Sequence, residues 1–114
     1  KSKFVDDIFE KYQNGEIRLL STKLLPFEVL NGSKYAIDKK RFSVKEVKIM
    51  NNAFFDLDIN CEDVDYMETF KLALKKGLTI YDASYLNLAL VNKVKLLTFD
   101  KQLEKCASTV VKSS

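Results

Sequence analysis

The residues that could carry chemistry in this sequence are acidic side chains. The chain contains no histidine, and its two cysteines, Cys61 and Cys106, stand 45 positions apart without the spacing of a zinc site. With one proline and three glycines it also lacks a glycine-rich loop for nucleotide phosphates. The commonest general base, paired thiol nucleophiles and phosphate loops are therefore excluded, and carboxylates remain.

Three carboxylates stand where predicted elements would present them to a ligand. Glu28 falls in the first turn of a predicted helix behind Pro26, Asp82 begins another helix, and Asp100 directly follows a predicted strand. In an open α/β sheet, ligands bind at the carboxyl ends of strands and at the adjoining helix starts. Each acid also has a purely structural explanation, because the helix dipole favours carboxylates there and Asp82 could complete a capping box with Thr79.

The elements that must position these acids follow from the spacing of the apolar residues. Three- and four-residue steps predict helices over residues 3–13, 26–37, 43–55, 61–76, 80–92 and 100–107. Short apolar or alternating runs predict strands over residues 17–21, 55–59 and 94–99, with a further edge strand at 109–111. This alternation predicts one α/β domain over residues 1–114, with a mostly parallel central sheet and helices on both faces.

Composition and charge are those of an ordinary globular domain. The 114 residues are 46% hydrophobic and 31% charged, and a net charge of +3 is too small to identify a nucleic-acid binder. The densest basic stretch, Lys39-Lys40-Arg41 with Lys45 and Lys48, could guide a nucleic-acid backbone. A solvated helix face is the simpler interpretation, because no aromatic interleaving accompanies the stretch. We expect a soluble, reduced, cytoplasmic protein, since no apolar run reaches the roughly 18 residues of a membrane helix.

Three segments around the acids resemble one known family. Residues 79–89, TIYDASYLNLA, and residues 95–103, KLLTFDKQL, resemble the second half of a PIN domain. In that family an aspartate begins a small-residue helix, and a hydrophobic strand then ends in Thr-x-Asp. Residues 24–31, LLPFEVLN, resemble the family's glutamate helix. Among PIN proteins, the compact size resembles VapC-type toxins, the ribonuclease halves of toxin–antitoxin pairs.

The resemblance implies a PIN-like three-layer sandwich and a divalent-metal-dependent endoribonuclease. Glu28, Asp82 and Asp100 would hold Mg²⁺ or Mn²⁺, and Thr98 would orient a ligand or water beside them. Oxygen ligands suit these ions, and a cation offsets the repulsion among neighbouring carboxylates. The resemblance also implies an RNA substrate, a cognate antitoxin as partner, and a homodimer.

The family's first strand, with its aspartate, has no counterpart in the sequence. Asp6 and Asp7 fall within the first predicted helix and are interpreted as solvated helix charges. Because loss of a central strand would expose its neighbours' edges, we expect an upstream segment of about ten to twenty residues. The resemblance implies that this segment carries a further metal-binding aspartate, on which catalysis depends. Two alternatives remain: a PIN-like scaffold that binds RNA or protein without catalysis, and a metal-binding phosphatase or receiver-like domain. The latter does not account for Thr98-Phe99-Asp100.

Aromatic side chains away from the acids are expected to serve packing. Five phenylalanines are interpreted as core or interface residues: Phe4, Phe9, Phe27, Phe54 and Phe55. Tyr81 and Tyr85 could stack on a nucleotide near Asp82, but half-buried core tyrosines are the commoner case.

Overall fold

The computed structural model describes residues 2–96, which form five helices and a small sheet. The helices are α1 (Ser2–Gln13), α2 (Leu25–Asp38), α3 (Val44–Asp56), α4 (Tyr66–Lys76) and α5 (Ile80–Asn92). Strands β1 (Leu20–Thr22) and β2 (Asn60–Glu62) pair in parallel as a two-stranded sheet. The predicted α/β class is confirmed. None of the helices in this range has the length and apolar character that a membrane crossing requires.

The residues group into two compact units whose segments interleave along the sequence. Of the described residues, the first unit comprises 2–20 and Leu25–Cys61, and within it α2 packs against α3. The second comprises Ser21–Leu24 and residues 62–96, and within it α4 packs against α5. The assignment of residues 1–114 to one domain stays a prediction.

In the first unit, polar contacts fix the helical hairpin of α2 and α3. The Ser43 hydroxyl accepts a hydrogen bond from the Glu46 N–H at 3.1 Å, and the Glu46 carboxylate accepts one from the Ser43 N–H at 2.9 Å. This is the predicted capping box, and it satisfies backbone donors that the first turn of α3 leaves unpaired. Ser33 of α2 hydrogen-bonds to the side chain of Asn51 of α3 at 2.6 Å.

In the second unit, the core lies beneath α5. Leu86 is fully buried, and Leu72, Leu78, Leu90 and Leu96 pack against it. Helix α4 ends at Gly77, whose left-handed φ of 65° is a conformation that glycine adopts without a Cβ penalty. The turn at Gly77 thus leads directly into α5, which packs against α4.

Several predicted boundaries are wrong. The strand predicted over residues 55–59 does not form, because Phe55 and Asp56 continue α3, and β2 follows only at Asn60. The helix predicted over 61–76 begins at Tyr66, where the Asp65 side chain accepts from the Glu68 N–H at 2.8 Å and so caps it. Strand β1 is displaced from 17–21 to Leu20–Thr22. Residues 94–96 are irregular; the predicted elements beyond them lie outside the described residues.

Some aromatic residues interpreted as core are exposed. The Phe27 side chain is 74% exposed and Phe55 is 47% exposed, so neither belongs to a core within the chain. Tyr81 is 65% exposed, whereas Tyr85 is half-buried as predicted. The interface role predicted for these phenylalanines is a separate matter and stays a prediction.

Candidate active site

Asp82 stands at the start of the most deeply packed helix in the second unit. Thr79 is the N-cap of α5, and its hydroxyl accepts a hydrogen bond of 3.1 Å from the Asp82 backbone N–H. One residue further on, Ala83 is fully buried, while the Asp82 side chain itself is half-buried. The core therefore anchors the backbone that carries this carboxylate, which holds an acidic group in place at the helix start.

The Asp82 carboxylate takes no part in capping the helix. A capping box requires a second hydrogen bond, from the Thr79 N–H to the Asp82 side chain, and α5 does not form it, in contrast to α3. Within residues 2–96, the carboxylate has no hydrogen-bond or ion-pair partner. The structural explanation of Asp82 as half of a capping box is therefore wrong, and no side chain of the described part of the chain occupies its oxygens.

Glu28 lies in the first turn of α2, as predicted. Strand β1 ends at Thr22, whose side-chain oxygen accepts a hydrogen bond of 3.1 Å from the Leu24 N–H and so forms the turn after the strand. Pro26 then occupies the first turn of α2, where its missing N–H costs nothing. The Glu28 side chain is exposed and belongs to the first compact unit.

The other predicted site residues are placed as follows. Asp100 and Thr98 lie outside the described residues. Asp6 and Asp7 are exposed on α1, as expected of solvated helix charges. Over residues 2–96 no three acidic, cysteine or histidine side chains group as metal ligands. Because the predicted set of three acids includes Asp100, its convergence stays a prediction.

The chemistry of the donors fits a divalent cation. Asp82 offers a carboxylate that the described part of the fold does not otherwise use, and Glu28 offers a second one at a helix start. Carboxylate oxygens are the ligands that Mg²⁺ and Mn²⁺ prefer, and neither acid is accompanied by histidine or thiol donors that would favour zinc.

Asn87 and Cys61 are polar residues that do not belong to the candidate site. Asn87 of α5 is a buried polar residue, only 8% exposed between Leu86 and Leu88. It was not selected from the sequence, although a single amide within an apolar run indicates a buried polar side chain. Asn87 lies about 140° around the helix from Asp82, so it belongs to another face. Burial raises the pKa of the Cys61 thiol, so the thiol stays protonated at neutral pH and is a poor nucleophile.

Comparisons with known proteins identify the family. The sequence profile described as PIN domain matches residues 2–108, which is nearly the whole chain. No curated protein matches significantly, and no solved structure does. The PIN fold is an α/β nuclease fold, and its members are generally metal-dependent nucleases. From the extent of this match and the agreement of the α/β architecture with it, the chain belongs to the PIN-domain family.

Proposed function

We propose that the protein is a divalent-metal-dependent endoribonuclease, in which Glu28, Asp82 and Asp100 hold Mg²⁺ or Mn²⁺ and Thr98 orients a ligand or water beside them. The observation that carries the proposal is the Asp82 carboxylate, which is fixed at the start of a packed helix and has no partner among the described residues. Membership of a family of metal-dependent nucleases supports it.

The chain's own residues would contribute position and charge. Asp82 is attached to a helix whose next residue is fully buried, so the backbone that carries its carboxylate has little freedom to move. Glu28 is exposed at the start of α2, where a ligand from solvent can reach it. A divalent cation, when bound, would activate a water molecule and stabilise the charge that develops on the phosphate.

We also propose a biological setting of the VapC type, in which the ribonuclease is a cytoplasmic, homodimeric toxin that a cognate antitoxin binds. The compact size supports this proposal. Exposed apolar side chains support it too, because large apolar groups on a surface commonly mark contacts with other proteins. Phe27 at 74% and Tyr66 at 79% exposure are two such groups.

The decisive experiment measures RNA cleavage by the full-length protein with Mn²⁺, using single substitutions of each acid. We expect Glu28→Gln, Asp82→Asn and Asp100→Asn each to lower the rate by more than about a hundredfold, since losing a metal ligand costs more than losing its supporting contacts. Asp56→Asn is the matched control, because Asp56 is exposed at the end of α3 and has no hydrogen-bond or ion-pair partner within residues 2–96.

Outcomes separate the nuclease from a binding scaffold. Circular dichroism should be unchanged in all four variants, and thermal unfolding should shift only slightly, so that lost cleavage reports chemistry. Full activity of Asp82→Asn and Asp100→Asn with manganese would refute the assignment. A wild-type protein that binds RNA but cleaves none, and that gives no heat on titration with Mn²⁺, would identify a non-catalytic scaffold instead.

A further inference from the structure

Positive charge is concentrated at the turn between α2 and α3. Residues 34–48 contain six lysine or arginine side chains and two carboxylates, an excess of four, while the whole chain has a net charge of +3. The remaining residues together are therefore slightly acidic. We define the basic patch as five exposed cations at this turn and the start of α3: Lys39, Lys40, Arg41, Lys45 and Lys48.

The two carboxylates of this segment do not neutralise the basic patch. Asp38 pairs with Lys34, one turn back on α2, at 2.7 Å. Glu46 is engaged by the Ser43 backbone in the capping box. None of the five patch cations forms an ion pair with a described residue. No acid among residues 2–96 therefore compensates the positive charge that the patch presents to solvent.

A tyrosine holds two of these cations in place. The Lys39 ammonium lies 5.7 Å from the centroid of the Tyr35 ring, and the Arg41 guanidinium carbon lies 5.5 Å from it, both within cation–π range. The backbone N–H of Arg41 also donates a hydrogen bond of 2.9 Å to the backbone carbonyl of Ala36. The preceding helix thus supplies an aromatic ring that pre-orders these two charges.

The basic patch and Glu28 share one face of α2. Tyr35 follows Glu28 by seven residues, so the two lie about 20° apart around the axis and roughly 10 Å apart along it. Between them on this face are Asn31 and Gly32, and a Cβ built on Gly32 would meet no atom within 4 Å. No bulky side chain therefore separates the acid from the patch along the helix.

We propose that the basic patch docks the phosphate backbone of single-stranded RNA and directs the strand along α2 towards Glu28. The inference rests on the proposed function, because it takes the substrate to be RNA. Cations neutralise phosphates without reading the sequence, and displaced counterions make such binding strongly salt-dependent. Phe42, 43% exposed within the turn, adds an apolar face beside the charges.

The test is binding of a fluorescently labelled single-stranded RNA to the full-length protein in EDTA, so that no cleavage occurs, over a series of salt concentrations. In the variant Lys39→Gln/Lys40→Gln/Arg41→Gln, we expect the slope of log affinity against log salt to fall by about 2, since each phosphate contact contributes about 0.7. The control removes three cations from the other unit: Lys75→Gln/Lys76→Gln/Lys95→Gln. Its slope should change by less than half as much.

A second pair of variants tests the positioning role of Tyr35. Tyr35→Phe keeps the aromatic ring and should bind RNA like the wild type, whereas Tyr35→Leu should bind severalfold more weakly while its unfolding midpoint stays close to that of Tyr35→Phe. Equal affinities for the two variants would contradict the role of the ring.

The outcomes distinguish this inference from the proposed function. Equal loss of slope in the two triple variants would overturn the docking site even if the protein cleaves RNA. A polyglutamate peptide that displaces the RNA at equal charge concentration would overturn it in favour of an acidic protein partner. Patch-dependent binding by a protein that cleaves nothing would support the docking site and reject the nuclease.

Discussion

The hydroxyl of Tyr12 donates a hydrogen bond of 2.8 Å to the carbonyl oxygen of Leu57, and thereby joins the end of α1 to the turn that follows α3. The same hydroxyl lies 3.1 Å from the carbonyl oxygen of Asp58, a residue with a left-handed φ of 50°. Leu57 and Asp58 lie where helix gives way to β2, so one side chain supports a change of backbone direction within the first unit.

Tyr12→Phe should lower the free energy of unfolding by about 1 kcal/mol, because the substitution leaves a partly buried carbonyl without its donor. Urea unfolding followed by circular dichroism measures this change. Tyr66→Phe is the matched control, since Tyr66 is exposed and should tolerate the loss of its hydroxyl. Equal stabilities of the two variants would show that the Tyr12 contact contributes nothing measurable.

Thr79→Ala should destabilise the protein by about 1 kcal/mol, since it removes the oxygen that accepts from the Asp82 N–H. Thr79→Ser retains that oxygen and should stay close to the wild type. Asp82→Asn should cost less stability than Thr79→Ala, because its carboxylate caps nothing and loses only a dipole interaction. The reverse order, measured by denaturant unfolding, would mean that the acid is structural.

Replacing Gly32 and Gly77 by alanine should change the stability of the protein in opposite directions. Gly32→Ala should raise stability by about 0.5 to 1 kcal/mol, since the glycine lies within α2 and an added Cβ meets no neighbour. Gly77→Ala should lower stability by about 1 kcal/mol, because its φ of 65° brings a Cβ close to the following carbonyl oxygen. Thermal unfolding of both variants would measure the opposite shifts.

The capping box of α3 should make stability sensitive to acid. Hydrogen bonds from Ser43 hold the pKa of the Glu46 carboxyl below its ordinary value of 4.5. The folded state thus prefers the ionised form, so this stabilisation is present above that value and is lost as pH falls through the lowered pKa. Glu46→Gln keeps the cap without the titration. Stability of the wild type should fall more steeply below pH 4.5 than that of Glu46→Gln, and parallel curves would contradict the prediction.

The sequence predicted the helices well, because their signals are local. Ser43 with Glu46 predicted the start of α3, Gly77 predicted the end of α4, and the span of α5 is confirmed. Such caps depend on residues three or four positions apart, which a sequence displays directly. The cap at Asp65 was equally local, and the apolar residues before it obscured it.

The strands and the site were harder to predict for physical reasons. A three-residue strand exists because of its partner, and β1 and β2 are far apart in the sequence, so alternation around Phe55 predicted a strand where α3 in fact continues. Asp82 could be placed at a helix start from Thr79 alone. Whether the Asp82 carboxylate joins the cap could not be predicted, because a capping box and a cap by Thr79 alone use the same two residues.

The interleaving of the two units has a consequence for how the chain can be divided. Ser21 and Thr22, both buried, group with residues from Glu62 onward although they are synthesised some forty residues earlier. During translation these two side chains cannot become buried in their unit until the residues from Glu62 onward have emerged. Coexpressed fragments cut between Cys61 and Glu62 would leave Ser21 and Thr22 on the N-terminal piece, which keeps every segment of the first unit, so the second unit alone would be incomplete.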